Sequence, residues 1–452
     1  MQRLSRLRFD ALAGYIRDPR SALVSVEIAW YCNDDERVLG VILRDTVDND
    51  YVSIVLGRDE RHCFRAVDVD SSQTSFSDAK RTLDRAIKGW SNRPDADFFQ
   101  GVGQGATLDF FTPVARFERL NVTFKTVRES PGYSPAREII AAMMYYFEDP
   151  DGNFVEQFQT TGFDARVWEL YLFAAMHELG YAFDRSLPAP DYLCLGLKGG
   201  FFIEAVTVNP TIHNGVSAEQ GLPKEKAERQ KYLDEYMPIK FGSALFSKLK
   251  RRYWDLPHVS GSPIVLAIQD FHFPHLMAWS EPSLAPYLYG KRFTARHDAN
   301  GKLAIESKTV DQHKWGDKTI PSGFFFQPGA EHISAVLTNA HGTIAKFNRI
   351  GFVAGFGSRL VEMTRIGTRY VHDPDAAQSE PFTQEIHSPT FSETWVEGMN
   401  VYHNPRALIP LRPQLLPTAA HHRLTESGML GSVIPDFHPY GSETFIRVRS
   451  LS

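Results

Sequence analysis

Cysteine is nearly absent: the chain of 452 residues has three, Cys32, Cys63 and Cys194, far apart and in no CxxC pair. That scarcity excludes a disulfide framework and a cysteine zinc site, and it fits a reducing compartment. Long apolar runs are missing too, so no segment is expected to span a bilayer and no membrane partner is expected. The opening stretch MQRLSRLRFDALAGYIRDPR is basic but carries neither the apolar centre nor the small-residue cleavage site of a secretory signal. A cytoplasmic protein is therefore expected. Positive charge is not in excess either. A formal net charge of -5 argues against coating nucleic acid by bulk electrostatics, so such a partner would need a local basic groove.

Several familiar catalytic signatures are also absent. MHELGY opens like a zinc-protease helix, but Tyr181 stands where the second histidine would be. GVGQGA has no apolar strand before it and no helix pattern after it, so it does not read as a nucleotide loop. DTVDND, around Asp45, Asp48 and Asp50, lacks the glycine and distal glutamate of a calcium loop and reads as a hairpin turn. No serine lies in a GxSxG elbow. The sixteen histidines show no ligand spacing, and His421 and His422, in a proline-rich tail, read as surface residues.

What is present is a globular composition, 43% hydrophobic and 23% charged, in a chain too long for one ordinary core. The expected class is α/β, an α+β multidomain chain with a central mixed sheet flanked by helices. Residues 24–69 alternate as four strands separated by polar turns, with a helix from about Phe76 to Lys88, making an α+β domain over 1–95. A connector is expected over 96–130, an α/β core over 131–345, and a β-rich, irregular region over 346–452. Helices are expected from about Pro135, with Ser134 as cap, and from about Ala165 to Leu179, with Asp164 as cap and Gly180 as stop. Within TIAKFNRIGFVAGFG, Lys346, Asn348 and Arg349 offer a second phosphate contact.

The most informative stretch is PDYLCLGLKGGFFIEAV, residues 190–206: Pro-Asp, a strand, a Lys-Gly-Gly turn, and a strand holding one acid. Alternation places Phe202, Glu204 and Val206 on one face of a strand apolar on both sides. A lone buried carboxylate is costly and is usually paired, hydrogen-bonded, protonated or metal-bound. Asp191 is placed to face Glu204 across the hairpin. Glu169, in VWELYLFAAM, is a third acid in an apolar setting, sharing a helical stripe with Phe173 and Met176. Taken singly, each reads as an ordinary cap or ion pair, Glu169 with Arg166 for example. Taken together, three acids suit a hard divalent cation such as Mg²⁺, which takes oxygen ligands and keeps several waters.

In order, helix acid, Pro-Asp, hairpin glutamate, basic helix and strand over about residues 130–275, this series resembles the PD-(D/E)xK, restriction-endonuclease-like nuclease superfamily. The resemblance implies hydrolysis of phosphodiester bonds in DNA or RNA, with DNA the favoured polymer. It also implies Mg²⁺ or Mn²⁺ on Asp191 and Glu204, supported by Glu169. One position departs from the pattern: Val206 stands where the family has the lysine that steadies water and offsets developing charge. Either another cation reaches the site, Lys240 and Lys248 being better placed than Lys224, Lys226 or Lys231, or cleavage is lost and the fold binds nucleic acid or protein. The stretch PIKFGSALFSKLKRRY has no acid, and Lys248, Lys250, Arg251, Arg252 and Tyr253 are the expected nucleic-acid contacts. As a helix it would turn Phe241, Leu245 and Leu249 to the core and its cations outward. A homo-oligomer is compatible with the chain, and the regions outside the core would serve targeting, partner binding or assembly.

Overall fold

The computed structural model describes residues 1–452 except 102–107, 185–186, 188, 214–215, 218–220, 274–276 and 451–452. Most of GVGQGA therefore lies outside the described residues. Two compact units result, one of residues 1–161, 180–182 and 347–361, the other of 162–179, 183–346 and 362–452. This division departs from the sequence-based boundaries. The expected connector belongs to the first unit, and residues 362–452 belong to the second.

In the first unit the alternation of residues 24–69 becomes an antiparallel meander: Ser25–Cys32, Val38–Asp45, Tyr51–Arg58 and Phe64–Gln73, with a short strand Gln2–Leu4 added at the edge. DTVDND is a turn in which the Asp45 carboxylate accepts the Val47 and Asp48 amides. Helix Phe76–Ser91, capped by Ser75, buries Ala79, Leu83, Ile87 and Trp90. Those four recur at helical spacing, which explains why the helix is readable in sequence. Elsewhere in this unit Phe110, Phe124, Phe147, Phe154 and Phe158 cluster, with ring centroids 4.4 Å apart for Phe147 and Phe154. Helix Ser134–Met144 begins at the expected place, but Ser134 does not cap it; its hydroxyl donates to the Pro131 carbonyl. The Ala136 amide is instead received by the side chain of Asn348.

The second unit is a mixed α/β structure with helices on both faces of an eight-stranded sheet. In spatial order the strands are Leu430–Val433, Ala420–Leu424, Asn400–His403, Ala335–Thr338, Ile264–Asp270, Gly199–Val208, Tyr192–Gly196 and Ala182–Asp184. Ile264–Asp270 is the spine, parallel to both neighbours and buried at every position. One face, carrying Phe202, Val206, Ile264, Leu266 and Ile268, is covered by Met237, Phe241, Leu245 and Leu249 of helix Met237–Leu249. Tyr192, paired with Ile203, reaches helix Phe163–Glu178 on the other face through its hydroxyl, which donates to the Glu169 carbonyl at 3.0 Å. Every residue of that helix from Val167 to Met176 is buried, so its pattern is apolar all round rather than amphipathic.

Two sequence expectations change here. The C-terminal region contributes Asn400–His403, Ala420–Leu424 and Leu430–Val433 to the main sheet. Strands of four or five residues are too short to carry a period by which sequence could distinguish them from loop. His421 and His422 consequently lie inside, at 7% and 8% exposure, and burial pushes the His422 imidazole down to about 3. Lys346, Asn348 and Arg349 are buried as well, Lys346 donating to the Glu397 carbonyl, so they present no phosphate-binding surface. All three cysteines are buried with free thiols. No helix among the described residues is long and apolar enough to cross a membrane.

Candidate active site

The Pro-Asp strand and the glutamate strand form an antiparallel hairpin with Tyr192 opposite Ile203 and Gly196 opposite Gly199. Gly199 has φ +125°, a conformation open to glycine and strained for other residues, and this permits the two-residue connection at Leu197 and Lys198. The ladder ends at Tyr192, and Asp191, just before it, lies near enough to Glu204 to feel its charge. The Asp191 Oδ2 accepts the Ala205 amide at 2.7 Å, which ties the aspartate across the ribbon beside Glu204.

Glu204 is 3% exposed on a face otherwise built from Phe202, Val206 and the helix Met237–Leu249. Its charge is met by Lys248, whose Nζ donates to Oε1 at 2.5 Å. Against the expectation that the helix cations turn outward, the structure places Lys248 inward. It lies seven residues after Phe241 and three after Leu245, and residues so spaced share a helical stripe. Its four methylenes follow the apolar surface while the ammonium meets the acid. A cation from the helix thus reaches the neighbourhood that Val206 leaves apolar.

Lys240 does not join them. It is eight residues earlier, about 12 Å along the helix, and its Nζ donates to the Asn209 carbonyl and the Thr211 hydroxyl. Lys224, Lys226 and Lys231 are exposed. The charged helix Lys226–Lys231, which carries the latter two, is continuous with Met237–Leu249 through a π turn at Tyr232–Tyr236. Pro238 accounts for the widening, because it has no amide to give the carbonyl four residues back and its ring crowds that carbonyl.

Glu169 is buried and held by Arg166, Nη1 to Oε1 2.7 Å, one turn away on its own helix. That is the ordinary ion pair its sequence context allowed. Its charge is nevertheless felt at Asp191. Burial, then the negative charges of Glu204 and Glu169, raise the Asp191 carboxyl from the usual 3.8 to about 7, with the Ala205 amide and Lys248 pulling the other way. A further neighbour is Tyr253, which sequence places among the nucleic-acid contacts and not beside Glu204. The Tyr253 phenol, without a well-formed hydrogen bond, stands near Glu204 and Arg251, and burial plus the glutamate charge raise its ionisation well above normal.

Tyr253 is 2% exposed, within the apolar core beneath this face, so its ring offers no platform for an unpaired base. An aromatic closing a basic run reads equally well as core, and here it is core. Trp254 is also engaged, stacked on His332 at 4.3 Å. The cations fare differently: Lys250, Arg251 and Arg252 are exposed at the end of the helix, with Arg252 paired to Asp255 at 2.6 Å.

As a donor set for a divalent cation, Asp191 and Glu204 fit in charge, in oxygen chemistry and in lying close enough for each charge to be felt by the other. Crowding that keeps Asp191 half-protonated near neutrality is what a bound cation relieves. Among the described residues no group of three or more His, Cys, Asp or Glu is arranged to hold a metal by itself, so water would complete the coordination. No known protein family matches the chain, and neither a curated protein nor a solved structure is significantly similar to it.

Proposed function

We propose that this protein is a metal-dependent nuclease, a phosphodiesterase acting on DNA or RNA, with DNA the favoured reading, on a restriction-endonuclease-like plan. The observation that carries the reading is the meeting of Asp191, Glu204 and Lys248, two carboxyls across one hairpin with an ammonium delivered by the next helix. Asp191 and Glu204, supported by Glu169, would hold Mg²⁺ or Mn²⁺. When bound, such an ion supplies an activated water and neutralises charge on the scissile phosphate. The protein's own groups do the rest. Without the ion Asp191 sits near 7, and metal binding would displace its proton. Lys248 supplies the fixed positive charge that Val206 cannot, and the exposed Lys250, Arg251 and Arg252 would follow the polymer's phosphates.

The test is incubation of single- and double-stranded DNA and RNA with Mg²⁺ or Mn²⁺, comparing the wild type with Asp191→Ala and Glu204→Gln. Metal-dependent cleavage reduced by about 10³-fold or more in both variants is expected. Cleavage that survives in Asp191→Ala would remove the assignment. A second reading is favoured by one observation, the close Lys248–Glu204 pair, which already satisfies the glutamate charge. On that reading the fold binds nucleic acid or a protein without cutting it. Salt-sensitive binding with no metal-dependent product in any variant would select it.

A further inference from the structure

A cavity of about 440 Å³ lies in the second unit, and none of the candidate active-site residues lines it. Its floor comes from two adjacent parallel strands and a short helical turn. Asn400 and Tyr402 stand on Asn400–His403, His422 on Ala420–Leu424, and Glu281 opens the turn Glu281–Ser283. Tyr370 and Tyr440 form the wall, their rings edge to face with centroids 6.3 Å apart, and Tyr440 is 43% exposed at the mouth. A volume of this size suits one small molecule.

The floor is a directed chain of hydrogen bonds. The Asn400 amide nitrogen donates to Glu281 Oε1. Its carbonyl oxygen faces His422 Nε2 at 2.9 Å, and His422 Nδ1 faces the Ser432 hydroxyl at 2.8 Å. Because the Asn400 oxygen can only accept, Nε2 carries the ring proton and Ser432 donates to Nδ1. The Glu281 carboxyl also accepts the Ala340 backbone amide. Burial holds it up at about 8, so near neutrality it keeps a proton that it can donate into the cavity. Among the described residues lining the cavity there is no lysine or arginine, so the lining offers no fixed positive charge to a phosphate. Aromatic side chains select a flat ring, and a neutral acid selects an edge with an acceptor for its proton.

We infer that this cavity binds a single nucleobase, presented as a free nucleoside or as a base turned out of a strand. The inference does not rest on the hydrolytic reading. Calorimetry on the full chain with adenosine, guanosine, cytidine and uridine, and with short single-stranded oligodeoxynucleotides, tests it. At least one nucleoside should bind, and Tyr440→Ala, at an exposed position, should weaken it by roughly 5- to 100-fold through removal of the stacking ring. Glu281→Gln, which keeps a donor and an acceptor, should bind better than Glu281→Ala. Nucleoside binding should be the same with and without Mg²⁺, which separates this site from the candidate active site. Oligonucleotide binding that is tighter than nucleoside binding, and weakened equally by Tyr440→Ala, identifies a turned-out base; nucleoside binding that an oligonucleotide does not displace identifies the free compound. No binding of any of these probes at millimolar concentration, or affinity unchanged in Tyr440→Ala, overturns the inference.

Discussion

Replacing Asp191 by asparagine should make the metal-free protein more stable at neutral pH, although it removes a central residue of the candidate site. The reasoning is linkage. A carboxyl raised from 3.8 to about 7 binds its proton more tightly folded than unfolded. Its contribution to stability is complete below the unfolded value and is lost as pH climbs through the folded one. At roughly 1.4 kcal/mol per tenfold change, ionised Asp191 costs an upper figure of about 4 kcal/mol above pH 7. Because the residue is only partly shielded, about 2–4 kcal/mol is the expected gain. Asparagine carries no charge and keeps an oxygen for the Ala205 amide, so the existing hydrogen bond is retained. Urea unfolding at pH 8, 6 and 4 reads the effect. The variant should lead at pH 8, by less at pH 6, and hardly at all at pH 4. Magnesium should raise the wild-type midpoint and leave the variant's unchanged. A variant no more stable at pH 8, or an advantage indifferent to pH, would refute the crowding of acids from which the site is argued.

Three further outcomes are expected. Lys248→Met leaves Glu204, whose side chain is 4% exposed, without its cation and should cost about 2–4 kcal/mol in urea; adding Glu204→Gln should recover most of that loss, and simple additivity would count against the pair. Gly342→Ala would put a methyl 2.6 Å from Trp168 and 2.9 Å from Tyr171, rings of the helix that carries Glu169, so a loss of about 1–3 kcal/mol is expected by the same assay. Reversing Lys250, Arg251 and Arg252 to glutamate should lower the slope of log affinity for DNA against log salt by about 1 for each phosphate no longer neutralised, measured by fluorescence anisotropy; an unchanged slope would take this segment off the nucleic-acid surface.

The fold is legible in sequence where pattern and chemistry agree. The N-terminal meander alternates with period two, and helix Phe76–Ser91 repeats its apolar residues at three and four, so each declares its buried face. Gly180, at φ +81°, stops the acid-bearing helix where sequence places the stop. The start of that helix lies earlier than sequence suggests, because Asp164 resembles a cap and is instead inside the first turn, where burial lifts its carboxyl to about 6. Long-range assembly is not legible. Nothing near His421 announces that strand Ala420–Leu424 lies beside Asn400–His403, since that pairing is decided by residues far away in sequence. Hence two histidines that read as exposed are interior, and the Glu281 cavity, assembled from distant segments, carries no local signal.

The candidate site divides along the same line, and the division bears on its chemistry. Asp191 and Glu204 belong to one hairpin, so their nearness follows from strand geometry and a two-residue turn. Lys248 is forty-four residues from Glu204, and its inward course depends on how the helix rotates when Phe241, Leu245 and Leu249 seat against the sheet. Val206 takes part in that seating, being itself in the apolar cluster that the helix covers. A lysine there would put a second buried ammonium beneath the helix with only one glutamate to meet it, whereas valine keeps the packing that aims Lys248. Restoring lysine at this position should therefore not strengthen the site. Val206→Lys is expected to destabilise the second unit by about 2 kcal/mol or more in urea and to lower any metal-dependent cleavage, because it disturbs the helix that delivers the existing cation. A stable Val206→Lys protein that cleaves faster than the wild type would show instead that the strand position is vacant and that Lys248 is a bystander.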